Sequence, residues 1–178
     1  MENKTTGKIH IYTGDGKGKT TASVGLAVRA LGHNLKVGFA SFHKRPEIYG
    51  YNELEMLQKL KADVRIYAKG HPHMDQSIDE AVLKKEVYQD IQSLSESIKN
   101  ENFDLFVLDE ILISVRDGYL EENELLEFVN AKPKNMELVL TGRGATKKIM
   151  ELADYVTEMK MIKHPYEKGL TSRKGIEY

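Results

Sequence analysis

The chain contains no cysteine. That excludes disulfides, thiolate metal sites and thiol nucleophiles, and it is compatible with a reducing cytoplasm. Neither sign of charge dominates, since 26 basic residues stand against 27 acidic ones. There is thus no global electrostatic case for nucleic acid as a partner, and the scattered lysines read as solvated helix faces. No segment approaches the ~18–20 consecutive apolar residues that a membrane span needs. Met1 to Lys8 is polar and short, without the apolar centre of a signal peptide. Internal repeats, low-complexity tracts and linkers are also missing. What remains is a chain of 178 residues, 40% apolar and 30% charged. These numbers fit one soluble domain, residues 1–178, large enough for a substantial core.

The most informative stretch is Thr13-Gly14-Asp15-Gly16-Lys17-Gly18-Lys19-Thr20-Thr21. It stands between an apolar run, Ile9 to Tyr12, and a helix-like segment, Ala22 to Leu31. That order is strand, glycine-rich loop, helix. Such a loop turns backbone N–H groups inward, and the helix adds its positive N-terminal end, so that together they cradle a polyphosphate. Lys19 is placed to reach the phosphates and the Thr20 hydroxyl to hold Mg²⁺. The spacing departs from G-x-x-x-x-G-K-[ST]: Thr13 occupies the first glycine position and Gly14 comes one residue late.

Apolar strand-like runs alternate with helix-like ones. The strands expected are Ile9–Tyr12, Lys36–Ser41, Val64–Tyr67, Leu105–Leu108, Glu137–Leu140 and Tyr155–Met159. Helices are expected over Thr20–Leu31, Leu54–Lys61, Ile78–Asn100, Glu121–Asn130 and Ala145–Leu152. Ile78, Val82, Val87, Ile91, Leu94 and Ile98 form an apolar stripe on the long helix, read as core packing. The alternation predicts an α/β fold of the P-loop NTPase kind, a doubly wound and mostly parallel sheet with helices on both faces. Ligands then bind at the carboxyl ends of the strands. Phe42–Tyr51 and Gly70–Asp75 read as irregular segments on that edge. The polar tail, Lys163 to Tyr178, is expected to be mobile unless it docks.

Phe106-Val107-Leu108-Asp109-Glu110 is an apolar strand that ends in two carboxylates. An acidic residue at such a strand end holds Mg²⁺ in P-loop proteins, so Asp109 and Glu110 join Thr20 as metal candidates. Alone, the pair is equally a turn. Leu140-Thr141-Gly142-Arg143-Gly144-Ala145 repeats the strand-turn-helix pattern. Arg143 there is either a phosphate or carboxylate contact or a surface arginine beside a glycine turn. No N-K-x-D-like element for guanine is present, which argues against a GTPase.

These segments resemble the P-loop corrinoid adenosyltransferases, the ATP:cob(I)alamin type. The likeness also rests on Arg29-Ala30-Leu31-Gly32-His33 and on three pieces near the C-terminus: Val156-Thr157-Glu158-Met159, Lys163-His164-Pro165-Tyr166 and Lys174-Gly175-Ile176-Glu177-Tyr178. It covers nearly the whole chain. The resemblance implies transfer of the 5′-deoxyadenosyl group of ATP to Co(I) of a reduced corrinoid, with release of triphosphate. It implies a nucleotide that lies reversed in the loop, a homodimer, Mg²⁺ with the ATP, and an external reductant, by analogy a reduced flavoprotein. By the same carry-over Lys19, Thr20 and Glu110 are catalytic. Gly14, Asp15, Gly16, Lys17, Gly18, Lys19, Thr20, Thr21, Arg29 and Arg143 bind nucleotide. His33, His10 and His164 are read as structural.

Two departures from that family stand out. Its members commonly carry an aromatic Gly-Phe-Thr-Trp segment after the third strand, packed against the corrinoid. Here the segment is Lys69-Gly70-His71-Pro72-His73-Met74-Asp75, so His71 and His73 are expected to treat the lower face of the corrinoid differently, or to be a variant loop only. The long N-terminal extension of some members is also expected to be lacking, so that the cap over the site is missing or comes from the partner subunit or from the tail, Lys163 to Tyr178, ordering when corrinoid or nucleotide binds. The rival readings are an ATP- or corrinoid-binding regulator or carrier without the reaction, and a phosphoryl-transferring kinase or ATPase.

Overall fold

The computed structural model describes residues 6–170 and 172–177. Residues 1–5 of the N-terminal segment and Thr171 and Tyr178 of the tail lie outside the described residues. Among the described residues six strands form one sheet: β1 (Ile9–Thr13), β2 (Val37–Phe42), β3 (Asp63–Tyr67), β4 (Leu105–Asp109), β5 (Glu137–Thr141) and β6 (Tyr155–Glu158). Their order is β3-β2-β4-β5-β1-β6, and every pairing is parallel. All the carboxyl ends therefore share one edge. The central strands β2 and β4 are buried at every position, as a sheet covered on both faces requires.

The helices are α1 (Lys19–Gly32), α2 (Pro46–Tyr49), α3 (Asn52–Lys59), α4 (Glu80–Asn100), α5 (Ile111–Arg116), α6 (Glu122–Asn130) and α7 (Lys147–Glu151), followed by a 3₁₀ turn at Pro165–Lys168. Alternate residues along each strand feed two cores. On one face Phe39, Leu105, Val107 and Val139 meet Ala27 and Ala30 of α1 and Leu54 and Leu57 of α3. On the other, Ala40, Phe106, Leu108, Leu138 and Leu140 meet α4, α5 and α6. The small residues Ser23, Ala27 and Ala30 on the buried side of α1 let that helix lie close to the sheet.

Three expectations need correction. The stripe on the long helix is Leu83, Val87, Ile91, Leu94 and Ile98. Val82 is 54% exposed, whereas Leu83 is 1% exposed. The helix begins only at Glu80, where Asp79 caps it by accepting hydrogen bonds from the Ala81 and Val82 N–H groups. Ile78 therefore precedes the first turn and does not set its register. The Phe42–Tyr51 segment is not wholly irregular, because it carries α2, opened by Pro46 at the first helical position. Finally, α5 follows β4 directly, where no helix was expected.

Candidate active site

The loop between β1 and α1 is held by its neighbours. Gly14 has φ 93° and Gly18, the N-cap of α1, has φ 120°, values that favour glycine. A Cβ on Gly14 would sit 2.7 Å from the Met159 carbonyl oxygen, just beyond β6. The Gly16 N–H donates to that same oxygen at 2.6 Å, so this N–H is not aimed at a phosphate. Thr13, in the first glycine position, accepts from the Ala145 N–H through its hydroxyl at 3.3 Å. The departure from standard spacing thus ties the loop to the turn after β5. Lys19 Nζ spans the loop and donates to the carbonyls of Gly14 and Gly16, both at 2.7 Å. Burial, helped by Arg143, holds the Lys19 pKa below the usual lysine value against the pull of Glu110, Asp15 and Asp109.

At the end of β4, Asp109 is fully buried. Lys44 Nζ donates to its Oδ2 at 2.7 Å, and the Thr141 hydroxyl donates to its Oδ1 at 2.7 Å. Thr141 Oγ1 in turn accepts from the Glu110 N–H at 2.9 Å. Burial opposes the charge on Lys44, but the carboxylates of Asp109, Glu110 and Glu53 outweigh it and raise its pKa. Lys44 also lies 4.9 Å from the Tyr51 ring centre. Glu110 is the N-cap of α5 in left-handed conformation, φ 66°, where the chain turns from strand into helix. Enclosure by protein raises that carboxyl to about 7, with Asp109 adding to the rise and Lys44, Lys19 and Arg143 opposing it.

A cavity of about 770 Å³ opens at this edge. It is lined by Asp15, Gly16, Lys17, Gly18, Lys19, Thr20 and Thr21 from the loop, and by Glu110, Arg143, His71 and His73. Most expected site residues are therefore brought together. Arg143 Nε lies 4.0 Å from Asp15 Oδ1. Gly14 and Asp109 are not in the lining; they hold its walls. Arg29 is exposed on α1 and also outside the lining. The tail docks here: His164, Ser172, Gly175, Ile176 and Glu177 line the cavity, and Lys17 Nζ donates to the Ile176 carbonyl at 3.4 Å. His164, read as structural, accepts from the Tyr166 N–H at 3.2 Å.

Sequence reading missed Lys44 and His43, which also line the cavity. Their signal was positional, since both directly follow β2 on the same edge as Asp109. His43 is 5% exposed. Its Nε2 lies 2.7 Å from the Ser114 hydroxyl and its Nδ1 3.3 Å from the Gly70 carbonyl. The donors present fit Mg²⁺ in one arrangement. Both oxygens of Asp109 accept hydrogen bonds, from Lys44 and Thr141, whereas Thr20 and Glu110 both line the cavity and offer oxygen donors of the kind that suits the ion.

The sequence profile described as ATP:corrinoid adenosyltransferase BtuR/CobO/CobP matches residues 5–178. A corrinoid adenosyltransferase of Escherichia coli K12 is 34% identical over 173 residues, covering 97% of this chain and 86% of that protein. One of Pseudomonas aeruginosa is 31% identical and covers 97% and 84%. The CobA corrinoid adenosyltransferase of Salmonella typhimurium is 33% identical and covers 97% and 86%. Among solved structures, a KaiC-like protein of Pyrococcus horikoshii superposes with a TM-score of 0.60 at 17% identity, over 89% of this chain and 75% of that one, which is a likeness of fold. With the profile matched over nearly all its length and relatives that align over 97% of it, this chain belongs to the ATP:corrinoid adenosyltransferase family.

Proposed function

We propose that the chain transfers the 5′-deoxyadenosyl group of ATP to the Co(I) of a reduced corrinoid. The observation that carries this is the meeting of the glycine loop, Glu110 and the His71–His73 turn in one cavity, in a member of this family. Co(I) attacks C5′, the Co–C bond forms as the C5′–O bond breaks, and triphosphate leaves with the bonding pair. Co(I) is itself a strong nucleophile, so no general base is needed. The protein's part is to align the carbon with the metal and to stabilise the departing charge.

In this reading the loop N–H groups other than that of Gly16, together with Lys17 and Lys19, hold the triphosphate. Thr20 and Glu110 hold Mg²⁺, which when bound offsets phosphate charge. Asp109, pinned by Lys44 and Thr141, supports Glu110 through the Thr141 contact to its N–H. Arg143 adds positive charge across from Asp15. His71 and His73 form the corrinoid side of the cavity. Arg29 on its exposed helix face is assigned no contact. A homodimer and an external reductant, by family analogy a flavoprotein, complete the reading.

The phosphate product tests it. With Mg-ATP and chemically reduced cob(I)alamin under anaerobic conditions, phosphorus NMR is expected to show intact triphosphate. ADP and phosphate in its place would make the chain a phosphoryl-transfer enzyme. Nucleotide and corrinoid binding without turnover, repeated with base-free corrinoids, would make it a carrier or regulator.

A further inference from the structure

His71 and His73 stand in the turn after β3, and Asp117 follows α5. One ligand atom from each lies within 4.8 Å of the other two. The two imidazole rings stack, with centroids 5.0 Å apart and planes 19° apart. The His73 backbone N–H donates to His71 Nδ1 at 3.2 Å. That nitrogen is thus an acceptor, and the ring proton sits on Nε2, which donates to Asp117 Oδ2 at 2.8 Å. Imidazole nitrogen and carboxylate oxygen thus already face each other; for an ion to take the Nε2 lone pair, the ring proton moves to Nδ1 and the His73 N–H gives up its hydrogen bond there. His73, exposed at its outer side, supplies the third donor.

Asp117 is itself oriented by Arg116, whose Nε donates to Oδ1 and Nη2 to Oδ2, both at 2.6 Å. The guanidinium weakens attraction for a cation but fixes the carboxylate. His43, with its ring centre 5.5 Å from that of His71, is buried and is not in the group of ligand atoms that lie within 4.8 Å of one another.

We propose that His71, His73 and Asp117 bind one divalent transition-metal ion in the wall of the cavity. Two imidazoles and one carboxylate suit Zn²⁺, Co²⁺ or Ni²⁺ and not Mg²⁺. Three protein ligands leave a further coordination position open toward the cavity. The site does not rest on adenosyl transfer, and its test uses neither ATP nor corrinoid.

The full chain, freed of metal with a chelator, is titrated calorimetrically with Zn²⁺ in excess Mg²⁺, and separately with Co²⁺ while visible absorption is followed. Wild type is expected to take up one equivalent of Zn²⁺ and to give a Co²⁺ absorption band. His73→Ala, at an exposed position, is expected to weaken Zn²⁺ binding at least ~10-fold and abolish the band; Asp117→Asn, which keeps the shape, is expected to weaken it similarly. Equal binding by wild type and both variants, or no stoichiometric uptake by wild type, would overturn the proposal and leave a hydrogen-bonded turn.

Discussion

Lys44 is 4% exposed, and its charge is answered chiefly by Asp109. Breaking a buried pair on one side leaves an unpaired charge in a poorly polarisable place. Lys44→Met is therefore expected to destabilise the fold by about 3–5 kcal/mol in urea unfolding. The double variant Lys44→Met/Asp109→Leu should regain much of that loss, because apolar replacement of both partners removes the orphan. A double variant no more stable than the single one would count against the pairing. Sequence reading could not find Lys44, since one lysine past a strand end carries no pattern of its own. It did single out Lys19, Thr20 and Glu110, which line one cavity, because glycine spacing and a strand-end acidic pair are local signals.

His43 offers a second test at the same scale. Burial pulls its pKa down to about 4, with His71 adding to the fall and the Gly70 carbonyl opposing it. In the unfolded chain the ring takes a proton near pH 6.5. Between those values the unfolded state binds more protons, so stability falls as pH falls. The loss is about 3 kcal/mol between pH 6.5 and 4. Glu110 and Asp90, both raised by burial, act the other way in this window, so the His43 part is read as a difference: on acidification from pH 6.5 to 4, urea midpoints of wild type should lose more, or gain less, than those of His43→Gln. An unchanged slope in the variant would assign the acid sensitivity elsewhere.

Among the elements, all six strands stand where they were expected; β2 and β4 were legible as apolar runs because a sheet covered on both faces leaves little room for polar residues, whereas β6, exposed at every position, is no such run. The long helix was legible in extent but not in its first turn. Its Asp79 cap decides where the periodicity begins, and the apolar Ile78 outside the helix misleads a count that starts there. Leu83→Ala is accordingly expected to cost ~2–5 kcal/mol, while Val82→Ala should stay within ~0.5 kcal/mol. Comparable losses at the two positions would refute the register. The helices α2 and α5, of four and six residues, are too short for periodicity to show. In α5 the start is set by the left-handed Glu110 instead.

At the scale of the whole molecule, the parallel sheet gathers every strand end on one edge, and the cavity follows from that. The rule that ligands bind there placed the site before any strand order was known. The order β3-β2-β4-β5-β1-β6 was not legible, because crossovers depend on helix packing between distant segments. The docking of the tail on the loop was open for the same reason. Its contacts join residues some 160 positions apart, as in Lys17 to Ile176.

The measurement that bears most directly on the central claim is the corrinoid spectrum itself. Purified protein, Mg-ATP and cob(I)alamin are combined without oxygen, and the product is isolated and weighed by mass spectrometry. The account predicts a light-sensitive corrinoid heavier by one 5′-deoxyadenosyl group, formed by wild type and at least ~100-fold more slowly by Lys19→Ala. A corrinoid that stays unmodified while ATP is bound, with cob(I)alamin and with base-free corrinoids alike, would contradict it.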